Sequence, residues 1–184
     1  MKLDFIKITK GMYMNKFYFF SLFFLMVKLG VTAQAFQNEF SGDEHIDMVI
    51  VTEDMFDLIT EIDSDDKTEM KSFFGQLKYL ANFATENPVA SNKINLSVNR
   101  RIRSQGFKLL TKIKDERKDA VLYYIPAGRR GYAKELLLLI NYSNGKTTLL
   151  VVKGNINMRR ISLLALQTTQ LDPELLKQAE KSVP

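Results

Sequence analysis

Two apolar segments joined by a tight-turn signal constrain the fold of this 184-residue chain more than any other feature. The stretch ELLLLINYSNGKTTLLVVKG (135–154) places Asn144 and Gly145 between two strand-like runs, and both residues tolerate the positive φ of a hairpin turn. The runs Leu136–Ile140 and Leu149–Val152 are apolar on both faces, so we expect these strands to lie at the centre of a sheet, with helices covering one side. We therefore expect a central antiparallel hairpin.

Two more strands precede this hairpin. FKLLTKIK (107–114) alternates apolar residues, Leu109 among them, with lysines, and AVLYYIP (120–126) follows a short polar turn. The turn AGRRG (127–131) then leads into the hairpin, and MRRISLLALQ (158–167) predicts a closing helix. These segments predict an α+β fold, in which an antiparallel sheet is built around a four-stranded meander with helices packed on one face.

Upstream of the meander, the pattern predicts a strand, a helix, a short helix and a second strand. The first strand covers 46–50 and the second lies in KYLANFATE (78–86), because apolar residues recur at every second position. The helix after the first strand is predicted to bury a stripe of Met55, Ile59 and Ile62.

The segment 87–106 carries both the start and the stop signals of a long helix. Asn87 suits the cap, Pro88 the first helical position, and Gly106 the residue after the end. The predicted buried stripe is Ile94, Val98 and Ile102, and the residues predicted to lie mainly on the solvent side are Arg100, Arg101 and Arg103.

The first 35 residues have the organisation of an export signal. The apolar run Phe17–Val27 has 11 residues. As a helix it would extend about 16 Å, whereas the hydrocarbon core of a membrane is about 30 Å thick. Ala33 and Ala35 match the small-residue pattern that a signal peptidase accepts, which predicts cleavage after Ala35 and Phe36 as the first mature residue.

Removal of this leader would leave one domain and a short tail. We expect an α+β domain over 36–170 and a helical tail over 171–184. Because export signals usually have about 15 to 30 residues, translation is expected to begin at Met12 or Met14. An uncleaved membrane anchor is the alternative to cleavage.

Cysteine content and charge narrow the classes of function. The chain has no cysteine, which excludes disulfides, thiolate metal sites and a lipid-accepting cysteine, and so favours a soluble exported protein over a lipid-anchored one.

The formal charge of +5 falls to +1 beyond residue 35, which gives no support for nucleic-acid binding. Residues 36–69 carry a net charge of −11 and residues 70–184 of +12. This asymmetry marks either a partner site or an acidic segment neutralised within the domain.

The order and spacing of three stretches resemble a known family. They are VTEDMFDLI, LKYLANFATE and ELLLLINYSNGKTTLLVVKGNINMRRISLLA, of which the last is the most specific. Together they resemble DUF4252, a family of unknown function found in exported proteins and predicted lipoproteins of Bacteroidota, from about Asp43 to Ala165. The resemblance implies an envelope location and a role in envelope sensing, and it carries no known catalytic residue. Lipid anchoring, expected of many relatives, does not fit a chain without cysteine.

No segment carries a recognisable catalytic or metal-binding motif. His45, the only histidine, lies at the start of the first strand, where an ordinary edge position explains it better than a zinc site. The acidic stretch DSDDKTE (63–69) lacks the ligand spacing and the glycine of a calcium loop. Neither a nucleophile elbow nor a phosphate-binding or dinucleotide-binding loop is present. We therefore predict no catalytic residue, no cofactor and no metal.

The turn AGRRG is the candidate binding site. Arg129 and Arg130 stand at the end of a predicted hairpin, where two guanidinium groups can bind a carboxylate or a phosphate. A solvated turn that only aids solubility is the alternative. The predicted function is that of a non-enzymatic interaction or envelope-sensing module. Its predicted location is the periplasm, the outer envelope or the outside of the cell. Its predicted partner is an envelope protein or an anionic envelope polymer. A carrier of a small apolar ligand held between sheet and helices is the second hypothesis, and an uncharacterised enzyme is the third.

Overall fold

The computed structural model describes residues 35–62, 68–161 and 173–182. The chain divides into two compact units, residues 1–38 and 39–184, and the second unit holds the whole sheet. The elements in chain order are α1 (Ala35–Phe40), β1 (Asp47–Thr52), α2 (Glu53–Ile62), α3 (Thr68–Phe74), β2 (Leu77–Thr85), α4 (Pro88–Gln105), β3 (Lys108–Lys114), β4 (Lys118–Pro126), β5 (Tyr132–Tyr142), β6 (Thr147–Asn157) and α5 (Pro173–Lys181). A short 3₁₀ turn over 158–161 follows β6.

The six strands form one antiparallel sheet in the order β1-β2-β6-β5-β4-β3. The last four strands are the predicted meander, and β2 joins the first pair of strands to it by pairing with β6. The α+β class and the meander are therefore confirmed.

The predicted β5–β6 hairpin lies in the interior of the sheet. Gly145 has a φ of 91°, and the Tyr142 amide donates to the Lys146 carbonyl over 2.8 Å, which closes the turn. Leu137 and Leu138 point to opposite faces of β5, and both are buried. The two strands are thus central and buried on both faces, and their central position is the one predicted from the sequence.

One face of the sheet carries α2, α3 and α5. A single core cluster joins side chains of these helices, such as Phe56, Phe74 and Leu176, to strand residues such as Leu138 and Leu150. This is the larger of the two helical layers described, and it contains three of the buried phenylalanines, Phe56, Phe73 and Phe74.

The opposite face carries α4. The side chains of Asn95 and Asn141 exchange two hydrogen bonds of 3.1 Å, and the hydroxyls of Ser91 and Thr147 lie 2.6 Å apart. Asn141 lies on the other side of β5 from Leu138, because their separation in the strand is odd. The expectation of helices on one face only was therefore wrong: strands that are apolar on both faces need a layer on each.

The signals for α4 are confirmed, but one of its arginines is not where we expected it. The Asn87 side chain accepts hydrogen bonds from the backbone amides at the helix start, and Gly106 ends the helix with a φ of 72°. Ile94 and Val98 are buried. Arg101 is also buried, 6% exposed, because it follows Val98 by three positions and so shares its side of the helix.

Two other predicted apolar stripes are shifted in the structure. A β-bulge between Leu109 and Thr111 turns Leu109 outward, 57% exposed, and leaves Leu110 packed against the core. In α2, the residue that enters the core is Phe56, whereas Met55 is 46% exposed. Both differences move a leucine or methionine to the surface.

Several predictions fall partly or wholly outside the described residues. These are the start codons Met12 and Met14, the apolar run of the leader, and Ala33. Of the helix predicted over 158–167, residues 158–161 are described and form a 3₁₀ turn, and the rest lies outside the described residues. The helix α5 lies within the tail predicted over 171–184. Within the described ranges, none of the helices has the length and apolar character needed to cross a membrane.

Candidate functional site

The turn that joins β4 to β5, residues 127–131, is called here the arginine turn. Gly131 has a φ of 76°, a conformation that favours glycine, and the Tyr132 amide donates to the Arg129 carbonyl over 3.2 Å. The Gly131 carbonyl accepts a 3.0 Å hydrogen bond from the Met158 amide, which ties the turn to the residue after β6. Arg129 and Arg130 are both exposed.

An apolar depression of about 170 Å³ opens on one side of the arginine turn. Its apolar wall is formed by Leu110, Tyr124, Pro126 and Met158, and the arginines of the turn form its rim. Met158 belongs to the core cluster, against which Leu110 and Tyr124 pack. The depression therefore lies on the face of the sheet that carries α2, α3 and α5.

A second depression, of about 280 Å³, opens at the same turn. The same two arginines line it, together with Asn157 and Arg159. Arg159 is exposed, and its backbone amide donates to the side chain of Asn157 over 3.1 Å. The arginine turn and the two depressions are together called the arginine site.

The charge of the arginine site is positive throughout. Arg129, Arg130 and Arg159 line it, and none of the described residues that line either depression is acidic. The Arg129 guanidinium lies 4.6 Å from the centre of the Tyr132 ring, a cation–π contact that restrains this side chain. Such a surface attracts carboxylate or phosphate groups and can hold them through paired hydrogen bonds.

The sequence indicated only the two turn residues of the arginine site. Arg159 was missed because it lies in the helix predicted over 158–167, Asn157 because it directly precedes that helix, and Leu110 because the alternation of β3 was taken to run through Leu109. The hairpin register could have placed Asn157 beside the arginine turn, since unbroken pairing outward from the turn at Asn144 and Gly145 brings it opposite Gly131; a register shift between Ala133 and Glu135 moves its partner to Tyr132. The bulge that turns Leu110 inward has no comparable signal.

The predicted cleavage residues lie elsewhere in the chain. Ala35 and Phe36 open α1, and Ala33 is outside the described residues. His45 is exposed beside the edge strand β1, as expected. Across the parts of the chain that the structure describes, no group of three or more His, Cys, Asp or Glu residues is arranged to hold a metal ion.

A buried ionic group, formed by Arg101, Glu135 and Lys153, was not predicted from the sequence. Arg101 Nη2 donates to Glu135 Oε1 over 3.1 Å, and Lys153 Nζ lies 3.3 Å from Glu135 Oε2. The three side chains are 6%, 6% and 12% exposed. The Tyr79 hydroxyl is buried nearby, without a hydrogen-bond partner among the described residues. Helical spacing from Val98 could have indicated that Arg101 is buried.

Burial governs the protonation of this group. It raises the pKa of Glu135, although the charges of Lys153 and Arg101 oppose the rise. Burial lowers the pKa of Lys153, which Glu135 opposes, and raises the pKa of Tyr79. Perturbed groups can mark a functional site, but these residues line neither depression, so their arrangement fits an internal ion group under α4.

The comparisons with known proteins bear on the family alone. No curated protein and no solved structure matches the chain. The model of the family described as a domain of unknown function, DUF4252, matches residues 40–164, which is more than half of the chain and close to the span of the resemblance read from the sequence. This match covers β1 to β6, the arginine turn and the residues of the buried ionic group. The chain belongs to the DUF4252 family.

Proposed function

We propose that this chain is an exported, non-enzymatic envelope protein that works as an interaction module and binds an anionic partner at the arginine site. The observation that carries the proposal is the placement of two exposed arginines, Arg129 and Arg130, on a depression with an apolar wall, with a third, Arg159, in the depression next to it. Arginine is favoured where planar anions are bound, and apolar depressions at protein surfaces hold the anchoring side chains of partners. A partner that presents a carboxylate beside an apolar side chain satisfies both parts of the site.

The sizes of the depressions favour a contact surface over a carrier. Sites for small-molecule ligands usually have volumes of about 300 to 1,000 Å³. The two depressions have volumes of about 170 and 280 Å³, and both are lined by residues of one turn. A volume of this order suits one large side chain of a partner, so the carrier of an apolar ligand is the less supported hypothesis.

The proposal that the protein is not an enzyme rests on the position of the perturbed groups. Glu135 and Lys153 have shifted pKa values, yet both are buried within the ionic group and neither lines a depression. A catalytic acid or base has to come within hydrogen-bond distance of its substrate. We therefore assign no catalytic role to any residue.

Export is proposed from the leader, and the mature end of the protein tests it. The short apolar run and the Ala33 and Ala35 pattern are the supporting observations. We expect N-terminal sequencing of the protein recovered from the producing cells to begin at Phe36. A full-length, membrane-embedded species would show that the leader is an anchor.

Charge reversal of the arginine turn tests binding. The variant Arg129→Glu/Arg130→Glu should lose the envelope partners that the native protein recovers at low salt, because like charges would then face the bound anion. Recovery by the native protein should also weaken as salt rises, since the screening length falls to about 8 Å at physiological ionic strength. The measurement is affinity capture from envelope extract, with the recovered components identified and quantified.

A matched control separates the site from the overall charge. Arg103→Glu/Lys114→Glu makes the same change in net charge at two exposed residues outside the arginine site. All three proteins should have the same thermal midpoint before capture is compared. If the turn variant and the control recover the same partners as the native protein, the arginine turn is a solvated turn and the proposed binding site is wrong.

A further inference from the structure

The outward side of α2 combines carboxylates with apolar side chains. Asp54, Asp57 and Glu61 are exposed, and Met55 and Leu58 are 46% and 56% exposed. Helical spacing places Leu58 between Met55 on one side and the acids on the other. The face is thus acidic along one edge and apolar along its middle.

These acids are not neutralised within the described part of the domain. Other residues of the acidic segment do form internal ion pairs, such as Asp43 with Lys93 at 2.8 Å and Glu53 with Lys78 at 3.1 Å. The carboxylates on the outward side of α2 are Asp54, Asp57 and Glu61. Among the described residues, no cation forms an ion pair with any of them. The charge asymmetry of the sequence is therefore balanced in part within the domain and left open on α2.

The face of α2 and the arginine site are complementary. One offers three carboxylates beside exposed Leu58 and Met55, and the other offers three arginines beside an apolar depression of about 170 Å³. Opposite charge and matched apolar surface are the properties that allow two patches to dock.

Both patches also lie on the same face of the sheet. Phe56 of α2 and Met158 of the arginine site belong to one core cluster, so α2 and the apolar depression are on the same side. They are nevertheless distant across the sheet, because α2 contacts β1 and β2 whereas the arginine turn joins β4 to β5. Two molecules that face each other across a two-fold axis can therefore make the same contact twice, as symmetric dimers do.

We infer that the anionic partner of the arginine site is α2 of a second copy of this chain, with Leu58 as the anchoring side chain. This inference rests on the proposed function, because it takes the arginine site to be a binding surface for carboxylates. The dimer is reciprocal: α2 of each molecule occupies the arginine site of the other.

Two charge-reversed variants test the reciprocal contact. The turn variant, Arg129→Glu/Arg130→Glu, makes both patches acidic, and the helix variant, Asp57→Lys/Glu61→Lys, makes both basic. Each variant alone should have a dissociation constant at least about tenfold higher than that of the native protein, because like charges replace ion pairs in both contacts. An equimolar mixture should associate again, since each acidic patch of one variant meets a basic patch of the other.

The measurement is sedimentation of the protein as purified from the producing cells, over a range of concentrations and at low and physiological salt. Matched controls are Arg103→Glu/Lys114→Glu for the turn and Glu86→Lys/Glu116→Lys for the helix, all at exposed positions. Both controls should associate as the native protein does. Leu58→Asp should weaken association of the native protein without lowering its thermal midpoint.

A native protein that stays monomeric at low salt, or a mixture of the two variants that stays monomeric, would overturn the inference. If the turn variant then still loses envelope partners that the native protein captures, the arginine site binds another acidic molecule, and only the identity of the partner was wrong. If the turn variant loses neither association nor partners, the proposed function fails as well.

Discussion

Replacement of Gly154 by alanine should lower the free energy of unfolding by at least about 3 kcal/mol, through backbone strain and a clash that cannot relax. Gly154 has a φ of 146°, which L side chains rarely adopt, and a Cβ atom would lie 2.8 Å from the Leu77 Cα and closer still to the Gln76 carbonyl oxygen. That carbonyl accepts a 2.9 Å hydrogen bond from the Asn155 amide, so it is fixed in place. Denaturant unfolding of the full chain measures the loss.

A second glycine provides the control for this substitution. Gly42 has open space where its Cβ would lie and no positive φ, so Gly42→Ala should change the free energy of unfolding by no more than about 0.5 kcal/mol. An unchanged denaturation midpoint for Gly154→Ala would show that β2 and β6 do not approach each other so closely at this point.

Removal of the central carboxylate of the buried ionic group should also be strongly destabilising. Glu135→Ala leaves Arg101 and Lys153 buried without their counter-charge, which costs about 3 to 5 kcal/mol in buried pairs of this kind. The free energy of unfolding from denaturant titrations, at an unchanged dependence on denaturant, gives the measured value.

Replacement of the whole group separates the cost of an unpaired charge from the value of the ion pairs. The variant Arg101→Met/Glu135→Leu/Lys153→Met removes all three charges and keeps most of the side-chain volume. Its stability should equal or exceed that of the native protein, because the desolvation of buried ions offsets much of their attraction. A triple variant as unstable as Glu135→Ala would mean that the ion pairs themselves stabilise the domain.

Local sequence patterns predicted those elements of the fold that depend only on a few neighbouring residues. The turn at Asn144 and Gly145 and the cap at Asn87 are determined by the backbone preferences of a few neighbouring residues. The pairing of β2 with β6 and the position of α4 on the second face depend on contacts between distant segments. No local pattern reports such contacts, so the number of helical layers was predicted incorrectly.

The same contrast between local and non-local features applies to the candidate site. Arg129 and Arg130 could be placed at a hairpin end, since a glycine-flanked turn between two strands is a local feature. Leu110 could not be placed, because a bulge in β3 reverses the side to which it points. Outside this site, the burial of Arg101 was predicted incorrectly for another reason. It was assigned to the solvent side of α4 because it is charged, although its position in the helix is on the buried side.

The position of β2 between β1 and β6 has a consequence for the chain while it is being synthesised. About sixty residues separate the end of β2 from the start of β6, whereas the pairs of the meander join strands that are consecutive in the chain. Loop closure over that length costs more entropy than any hairpin of the meander. Until β6 is complete, β2 has an unpaired edge and apolar side chains on both faces, so this interval is when the nascent chain is most exposed to pairing with other chains.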